Sequence, residues 1–500
     1  MPTTTPASTR PNGRPRRRWR RPSALVAAVA LLVGVAAACE PDTTPPGWLL
    51  VDRADATALG PHVALEWDAA YGSPSRYRID VNGVTAAWVG PTATRCVMVG
   101  LAAATAYTFR ITAYDAAGNW SDSLPIDGQH DPGFRPASRT TPAGPGGGPT
   151  LRCVPVADTD FDRLPDALET NTGTFAHTAA TGTSPTVVDT DVDGLDDGDE
   201  VLGTVGGLDL YGLGTRPMRP DLLVEVDWLA GYQRPGCTPD LPPQTSWWTG
   251  AIDGFARTYV PTPGGHQGIN LIVDQGQGGV FTGGNPIPHP TGDAGYPDGY
   301  LDPVGDPHLA TNRAGYFHHA LILGRWWGGL SWSTRPLAEF EGSRFWLIAD
   351  CGTEDPWDAS SDLVHEMGHN LGLHHGGSER TNLKPSYNSV MNYRYYTGLD
   401  RNCDDVSDWG ANRRLGFSAG IRPPLDEAHV VEAAGVCGNV PLDMDGDMSI
   451  DATPYARDLN GDGSLRVLHD HDDLANLDLK IFASNRRSGR APELVVEDGP

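Results

Sequence analysis

Lysine is nearly missing from these 500 residues: Lys384 and Lys480 are the only two among 37 basic side chains. Set against 63 acids, the formal net charge is -26, and a chain that repels phosphate so strongly is excluded as a nucleic-acid binder. Long apolar runs are scarce as well. The stretch Ala24 to Val35 is too short for the ~20 residues that a membrane-spanning helix requires. Apolar residues make up only 39%, while Gly (61) and Pro (43) are plentiful. That balance excludes a compact cytosolic enzyme and indicates a loop-rich secreted protein of more than one domain.

Cysteine is sparse, and its number, seven, is odd. Residues 1–38 read as an export signal: a basic segment Arg14 to Arg21, the apolar core Ala24 to Val35, and the small-residue site Ala36-Ala37-Ala38. Cys39 follows at the place of a lipid-accepting cysteine. Both outcomes stay open: a freely secreted chain, or one whose sole membrane contact is a lipid on Cys39. Arg16-Arg17-Arg18 also suits a twin-arginine route. Either way six cysteines remain to pair in an oxidising compartment. Residues 39–47 form a Pro-rich linker.

The organising stretch is His365-Glu366-Met367-Gly368-His369-Asn370-Leu371-Gly372-Leu373-His374-His375. Leu363, Val364, Met367 and Leu371 recur at helical spacing behind a cap at Ser360 or Ser361, so His365 and His369 stand one turn apart on one face. Gly372 accepts the left-handed conformation that ends the helix and turns His375 back toward them. Three imidazoles leave a tetrahedral Zn2+ one open position, the arrangement of a catalytic site. Glu366 points off the ligand axis and serves as base for the water that such a metal activates. His374 faces elsewhere.

This motif, followed by Ser389-Val390-Met391-Asn392-Tyr393, resembles the metzincin metalloproteases over roughly 221–479. The resemblance implies that Met391 lies in a turn beneath the three histidines and that Tyr393 sits near the metal. It also implies a mixed sheet whose antiparallel edge strand pairs with an extended peptide. Gly376, after the third histidine, departs from the named subfamilies.

Residues 48–130 carry period-two segments, His62–Trp67, Tyr77–Val81 and Thr105–Ala113, separated by turns such as Asn82-Gly83. They predict an antiparallel sandwich. With Trp67 and Tyr107 as core residues it resembles a fibronectin type III module, which implies either binding of a cell-surface or polymeric ligand or a spacer. Residues 131–152, with a Gly-Pro-Gly-Gly-Gly run, read as a flexible linker.

Residues 153–205 hold an acidic repeat: Asp158, Asp160, Asp162, Asp166 and Glu169, then Asp189, Asp191, Asp193, Asp197 and Glu200. Carboxylates at alternate positions with a glutamate at the twelfth place suit Ca2+. They resemble thrombospondin type 3 calcium repeats. Arg163 stands where the second segment has Gly194. Further loops of this kind start at Asp443, Asp445 and Asp447, and at Asp458, Asn460 and Asp462. His469 replaces the usual closing glutamate there, leaving Asp470, Asp472 or Asp473 to supply an oxygen.

Residues 215–480 form the larger domain, before a tail of 481–500. Its expected strands are Asp221–Leu229, Gly268–Asp274, Tyr316–Trp327 and Arg344–Asp350, with a helix from Trp247 to Tyr259. Tyr316–Trp327 is the candidate edge strand, with His318 and His319 as strand side chains. If the first and last strands run parallel, Cys237 and Cys351 emerge at one sheet edge and can pair. Cys237 has neighbours reminiscent of a silencing propeptide cysteine, but in the wrong order. Cys403 and Cys437 lie close in sequence within one loop-rich stretch and can pair, which leaves Cys96 and Cys153 as the third candidate pair, permitted but not required by the linker between them. The fold expected is therefore multidomain, an all-β sandwich followed by an α+β metzincin-like domain with a mixed sheet and a zinc helix. The expected function is a zinc endopeptidase acting on extracellular proteins; the alternative is a calcium-dependent surface-binding protein with a vestigial zinc site.

Overall fold

The computed structural model describes residues 54–70, 73–102, 105–122, 150–229, 245–287, 308–323, 337–348, 356–480 and 493–495. The export signal, both linkers up to residue 149, and Cys39, Cys237 and Cys351 lie outside them. The architecture is mixed α/β with several sheets.

The first strands are β1 (Ala54–Leu59), β2 (His62–Trp67), β3 (Arg76–Val81), β4 (Val84–Val89), β5 (Arg95–Val99), β6 (Phe109–Tyr114), β7 (Trp120–Asp122) and β8 (Arg152–Val154). They make two antiparallel sheets, ordered β1-β2-β5-β8 and β4-β3-β6-β7. Alternation sends Val63, Leu65 and Trp67 of one sheet against Tyr77, Ile79 and Ile111 of the other. Trp67 meets Tyr77 edge-on at 5.8 Å. Residues 105–108, expected as strand, precede β6; there the Tyr107 hydroxyl instead accepts the Ala102 N–H at 2.7 Å.

β8 brings the chain back to the sandwich, so the linker ends before Arg152. The Cys96–Cys153 disulfide, with Cα atoms 5.6 Å apart, joins it to β5. Val97, Val99 and Val154 then pack against Leu164, Leu168, Val201 and Leu202 of the acidic segments. Burying each such side chain is worth about 1.5–3 kcal/mol, so the sandwich is bound to its neighbour rather than tethered at a distance.

The larger domain follows α1 (Asp197–Leu202) and α2 (Leu210–Leu213). Its strands begin with β9 (Asp221–Leu229), β10 (Tyr259–Thr262), β11 (Gly265–Gly268), β12 (Asn270–Asp274) and β13 (Pro286–Ile287). β14 (Phe317–Leu323), β15 (Leu337–Phe340), β16 (Arg344–Ile348) and β19 (Glu493–Val495) follow, with β17 (Leu425–Asp426) and β18 (Val467–Leu468) in a separate ribbon. The main sheet runs β12-β9-β14-β16-β15-β19. β12, β9, β14 and β16 are parallel; β15 is antiparallel to β16, and β19 to β15.

This order corrects the edge-strand expectation. β14 lies inside the sheet between β9 and β16, and its apolar sequence Phe317-His-His-Ala-Leu-Ile-Leu323 suits a strand covered on both faces. The antiparallel strand is β15. The helix expected to reach Tyr259 is a 3-10 turn, Thr245–Trp248, and α3 (Thr249–Ala256); Tyr259 instead opens the hairpin β10-β11.

β9 sorts its residues by face. Leu222, Val224, Val226 and Trp228 enter a core shared with α3 and with α4 (Pro356–Asn370). On the other face Leu223 joins Leu195, Leu210 and Phe317. There Arg313 bridges Glu225 and Asp274, both at 2.5 Å, while Asp227 meets the His319 ring at 3.1 Å. Beyond α4 the chain is mostly loop, stapled by Cys403–Cys437. Among the described residues no helix is long and apolar enough to cross a membrane.

His62 gives the sandwich contact a pH dependence. Its Nε2–H donates to the Thr178 carbonyl at 2.9 Å, and burial, opposed by that bond, lowers its pKa to about 4. Protons therefore bind the unfolded chain first, and stability falls as pH drops from about 6.5 toward 4. Thermal melts across that window should show the loss for the native chain and a flatter acid limb for His62→Gln, which keeps a donor but does not titrate.

Candidate functional site

α4 starts at Pro356, a residue suited to a first helical turn. Ser360 and Ser361 are consequently inside the helix rather than capping it: Ser360 donates to the Trp247 carbonyl, and Ser361 to Trp357 O at 3.0 Å. Leu363, Val364 and Met367 enter the core. His365 and His369 share one face, with ring centroids 4.8 Å apart. Gly372 adopts φ +92°, and the chain turns as expected. His375 comes back to 5.3 Å from the His365 ring and 4.9 Å from that of His369. One ligand atom from each of the three histidines lies within 4.8 Å of the others.

The rings are held in one tautomer. His365 Nδ1 is 2.8 Å from the Val390 carbonyl and His369 Nδ1 is 2.7 Å from the Leu373 carbonyl. A carbonyl only accepts, so each Nδ1 carries hydrogen and each Nε2 keeps its lone pair for a metal. Two oriented imidazoles with a third beside them fit Zn2+. His365 and His369 are buried and His375 is half-buried, which leaves the third histidine on the open side. Glu366 is buried within the same helix.

Met391 is buried directly beneath the helix: a Cβ on Gly368 would run into its Sδ and into Phe417. The preceding residue, Val390, is the one that accepts from His365. The Tyr393 ring lies almost parallel to His365 at 5.6 Å and 4.7 Å from His375. Sequence reasoning missed Tyr396, whose ring is 4.8 Å from His365 and whose hydroxyl donates to Asp362 at 2.6 Å. His374 does face away, stacked on Phe340 at 4.0 Å. His318 is a strand side chain bonded to Asn370 at 2.9 Å, and burial lowers its pKa to about 4.

The acidic segments converge more than their spacing showed. Asp158, Asp160 and Asp162 form one cluster, and Asp162 and Glu169 are joined by Asp197 from the second segment. Asp189, Asp191 and Asp193 form another, with Asp193 and Glu200 joined by Asp221. Asp166 is turned to Thr159, accepting from its N–H at 2.7 Å and its hydroxyl at 2.8 Å. Arg163 adopts φ 81°, doing without the glycine of the second segment, and its guanidinium reaches Asp199 and the Gly203 carbonyl. Burial, reinforced by neighbouring carboxylates, pushes Asp162 up to about 7 and Glu169 to about 8. Asp197 rises to about 9, chiefly through burial. Asp191, Asp193 and Glu200 stand well above the usual range for the same reasons.

In the later loops Asp443 accepts from Gly446 and Met448, and Asp447 from Ser449. Asp445 accepts from the Asp447 amide. Asp458 accepts from Gly461 and Gly463, Asn460 from Asp462, and Asp462 from Ser464. The oxygens that knit these loops come from upstream: Glu432 accepts from Met444 and Asp451, and Glu427 from Leu459 and Arg466. Asp470 and Asp473, expected as ligand candidates, are engaged elsewhere. Asp470 accepts from Ser418 and Arg422, and Asp473 from Tyr387, Ser389 and Ser418. Asp472 caps Ala475.

No family model matches the chain, and no curated protein matches it. Among solved structures, the Clostridium perfringens spore cortex lytic enzyme SleM aligns at 23% identity over 14% of this chain and 23% of its own, with a TM-score of 0.13. At that TM-score the likeness carries no argument about fold or activity.

Because Gly368 gives Met391 its place, Gly368→Ala should overpack the site, costing about 1–3 kcal/mol. A urea-unfolding midpoint unchanged from that of the native chain would show that Met391 moves aside freely.

Proposed function

We propose that this chain is a secreted zinc-dependent endopeptidase of metzincin type, cleaving peptide bonds of extracellular proteins. The observation that carries this reading is the convergence of His365, His369 and His375 with the first two rings tautomerically fixed and Glu366 on the same helix. His365, His369 and His375 would hold a zinc ion, which would supply a Lewis acid able to make a bound water acidic near neutral pH and to polarise the scissile carbonyl. Glu366 takes the proton of the attacking water and delivers it to the leaving amine. Tyr393, stacked on His365 and beside His375, donates its hydroxyl hydrogen to the developing oxyanion. Calcium in the acidic segments has a structural role, and the export signal places the enzyme outside the cell, free or held by a lipid on Cys39.

The substrate adds to the sheet as a strand. β15 is suited to this, since Asn370 donates to the Glu339 carbonyl at 2.7 Å and Glu341 to the His369 carbonyl at 3.1 Å, which fixes the strand beside the end of α4. Its outer edge is already paired with Glu493–Val495.

Glu366→Ala should bind zinc in the native ratio, since every ligand remains, yet lose nearly all peptide hydrolysis. Metal analysis with a quenched-peptide assay reads both quantities; native turnover in that variant would end the proposed mechanism, whereas a pure binding protein shows no chelator-sensitive turnover to begin with. A chain ending at Lys480 should show a severalfold higher kcat/KM toward an extended peptide, because the substrate no longer displaces Glu493–Val495. An unchanged value would mean that the peptide does not use the β15 edge.

A further inference from the structure

Glu200 is fully buried, and neither of its carboxylate oxygens has a hydrogen-bond partner. Neither oxygen of Asp191, 1% exposed, makes a well-formed hydrogen bond either. Asp193 and Asp221 are buried beside them. Asp221 is the first residue of β9, and its own N–H donates to Asp193 Oδ2 at 2.6 Å, so the acidic loop and the main sheet meet at this point. The cations nearby are partly exposed and touch the rim: Arg219 pairs with Asp221 at 2.7 Å and Lys480 with Asp189 at 3.4 Å. Asp221 also accepts from Asn270 at 2.6 Å and from the Arg216 N–H at 2.7 Å. The neighbours that act most strongly on Glu200 are carboxylates, and Asp191 receives from the Arg219 side only its backbone amide. Carboxylates buried this way cost several kcal/mol each unless a cation joins them.

We propose that Asp221 completes the second calcium site, so that one ion is held jointly by Asp189, Asp191, Asp193 and Glu200 of the acidic segment and by the first residue of β9. The inference rests on reading the acidic segments as calcium sites and adds a ligand from outside them. An all-oxygen donor set selects a hard cation, and the mixture of loop, helix and strand ligands suits the irregular six- to eight-fold shell of Ca2+ better than the strict octahedron of Mg2+. The ion then fixes where β9 begins. Since β9 pairs with both β12 and β14, this secures the register of the sheet on which α4 rests.

The test uses the zinc-loaded mature chain with Ca2+ as the probe, read by calorimetry and by amide exchange in β9. Asp221→Asn and Glu200→Gln should each weaken one and the same binding event by roughly tenfold or more, while Glu169→Gln, in the other cluster, leaves that event intact. Glu200→Gln keeps the Arg219–Asp221 pair, so it answers for the site should Asp221→Asn fold poorly. Calcium should slow exchange at Leu222 to Val224 in the native chain and in Glu169→Gln but not in Asp221→Asn. Native affinity in both Asp221→Asn and Glu200→Gln, or calcium-independent exchange in β9 of the native chain, overturns the proposal while leaving the other cluster standing. A native chain that binds no calcium overturns the reading of both acidic segments and this inference with it.

Discussion

An imidazole can serve a metal only while something else fixes its other nitrogen, and for His365 that anchor comes from outside its helix. Val390 O holds the ring, so the site exists only when the turn at Met391 is seated. Seating in turn requires the niche over Gly368, where a side chain would collide with Met391. It also requires Asp473, which from full burial accepts hydrogen bonds from Ser389, Tyr387 and the Ser418 amide. A loop region with almost no strands is thus kept in register by one buried carboxylate whose lone pairs are satisfied by donors from two separate loops. This arrangement compensates for thin apolar packing, since a charged acceptor makes bonds roughly twice as strong as neutral ones.

The same economy recurs across the main sheet. One face of β9 is apolar and packs on α3 and α4; the other carries Asp221, Glu225 and Asp227 in alternation. Arg313, His319 and Arg219 answer those acids. Buried pairs of this type contribute little net stability, because desolvation offsets most of the attraction, but breaking one leaves a stranded charge. They therefore specify which loop meets which strand more than they strengthen the fold.

What the sequence disclosed and what it hid divide by range. The histidine spacing, the stop at Gly372, the acidic repeats and the alternation of β2 and β3 depend on periodicities of a few residues, and each is legible locally. Two pairings, Cys96–Cys153 and Cys403–Cys437, could be assigned from their place along the chain. Asp221, Glu427, Glu432 and Tyr396 join their sites through contacts far apart in sequence, and no local pattern marks them. One cue was available: acids at alternate positions in the otherwise apolar β9 cannot remain unanswered. The position of β14 also had a cue, since an edge strand exposed to solvent does not carry an unbroken Ala320-Leu-Ile-Leu323.

The histidine cluster and the second acidic cluster are linked by more than their neighbourhood in the chain. Residues 478–480 touch both ends: Asp478 donates its amide to the Leu371 carbonyl at the close of α4, and Lys480 reaches Asp189 of the second acidic loop. Between them Leu479 is buried in the core that α4 shares, and its carbonyl lies against Gly194, where an added Cβ would stand 3.0 Å away. The glycine in that loop is therefore required by the close passage of this segment as well as by its own φ of +93°. Displacement of the second acidic loop would press on Leu479, whose side chain shares its core with Leu371 at the end of α4. Spatial connection of this kind transmits an effect only if the loop has a second arrangement to adopt. Burial and neighbouring carboxylates disfavour the charged forms of Asp191, Asp193 and Glu200, so a cation is what would let them stand together as anions in the arrangement seen here.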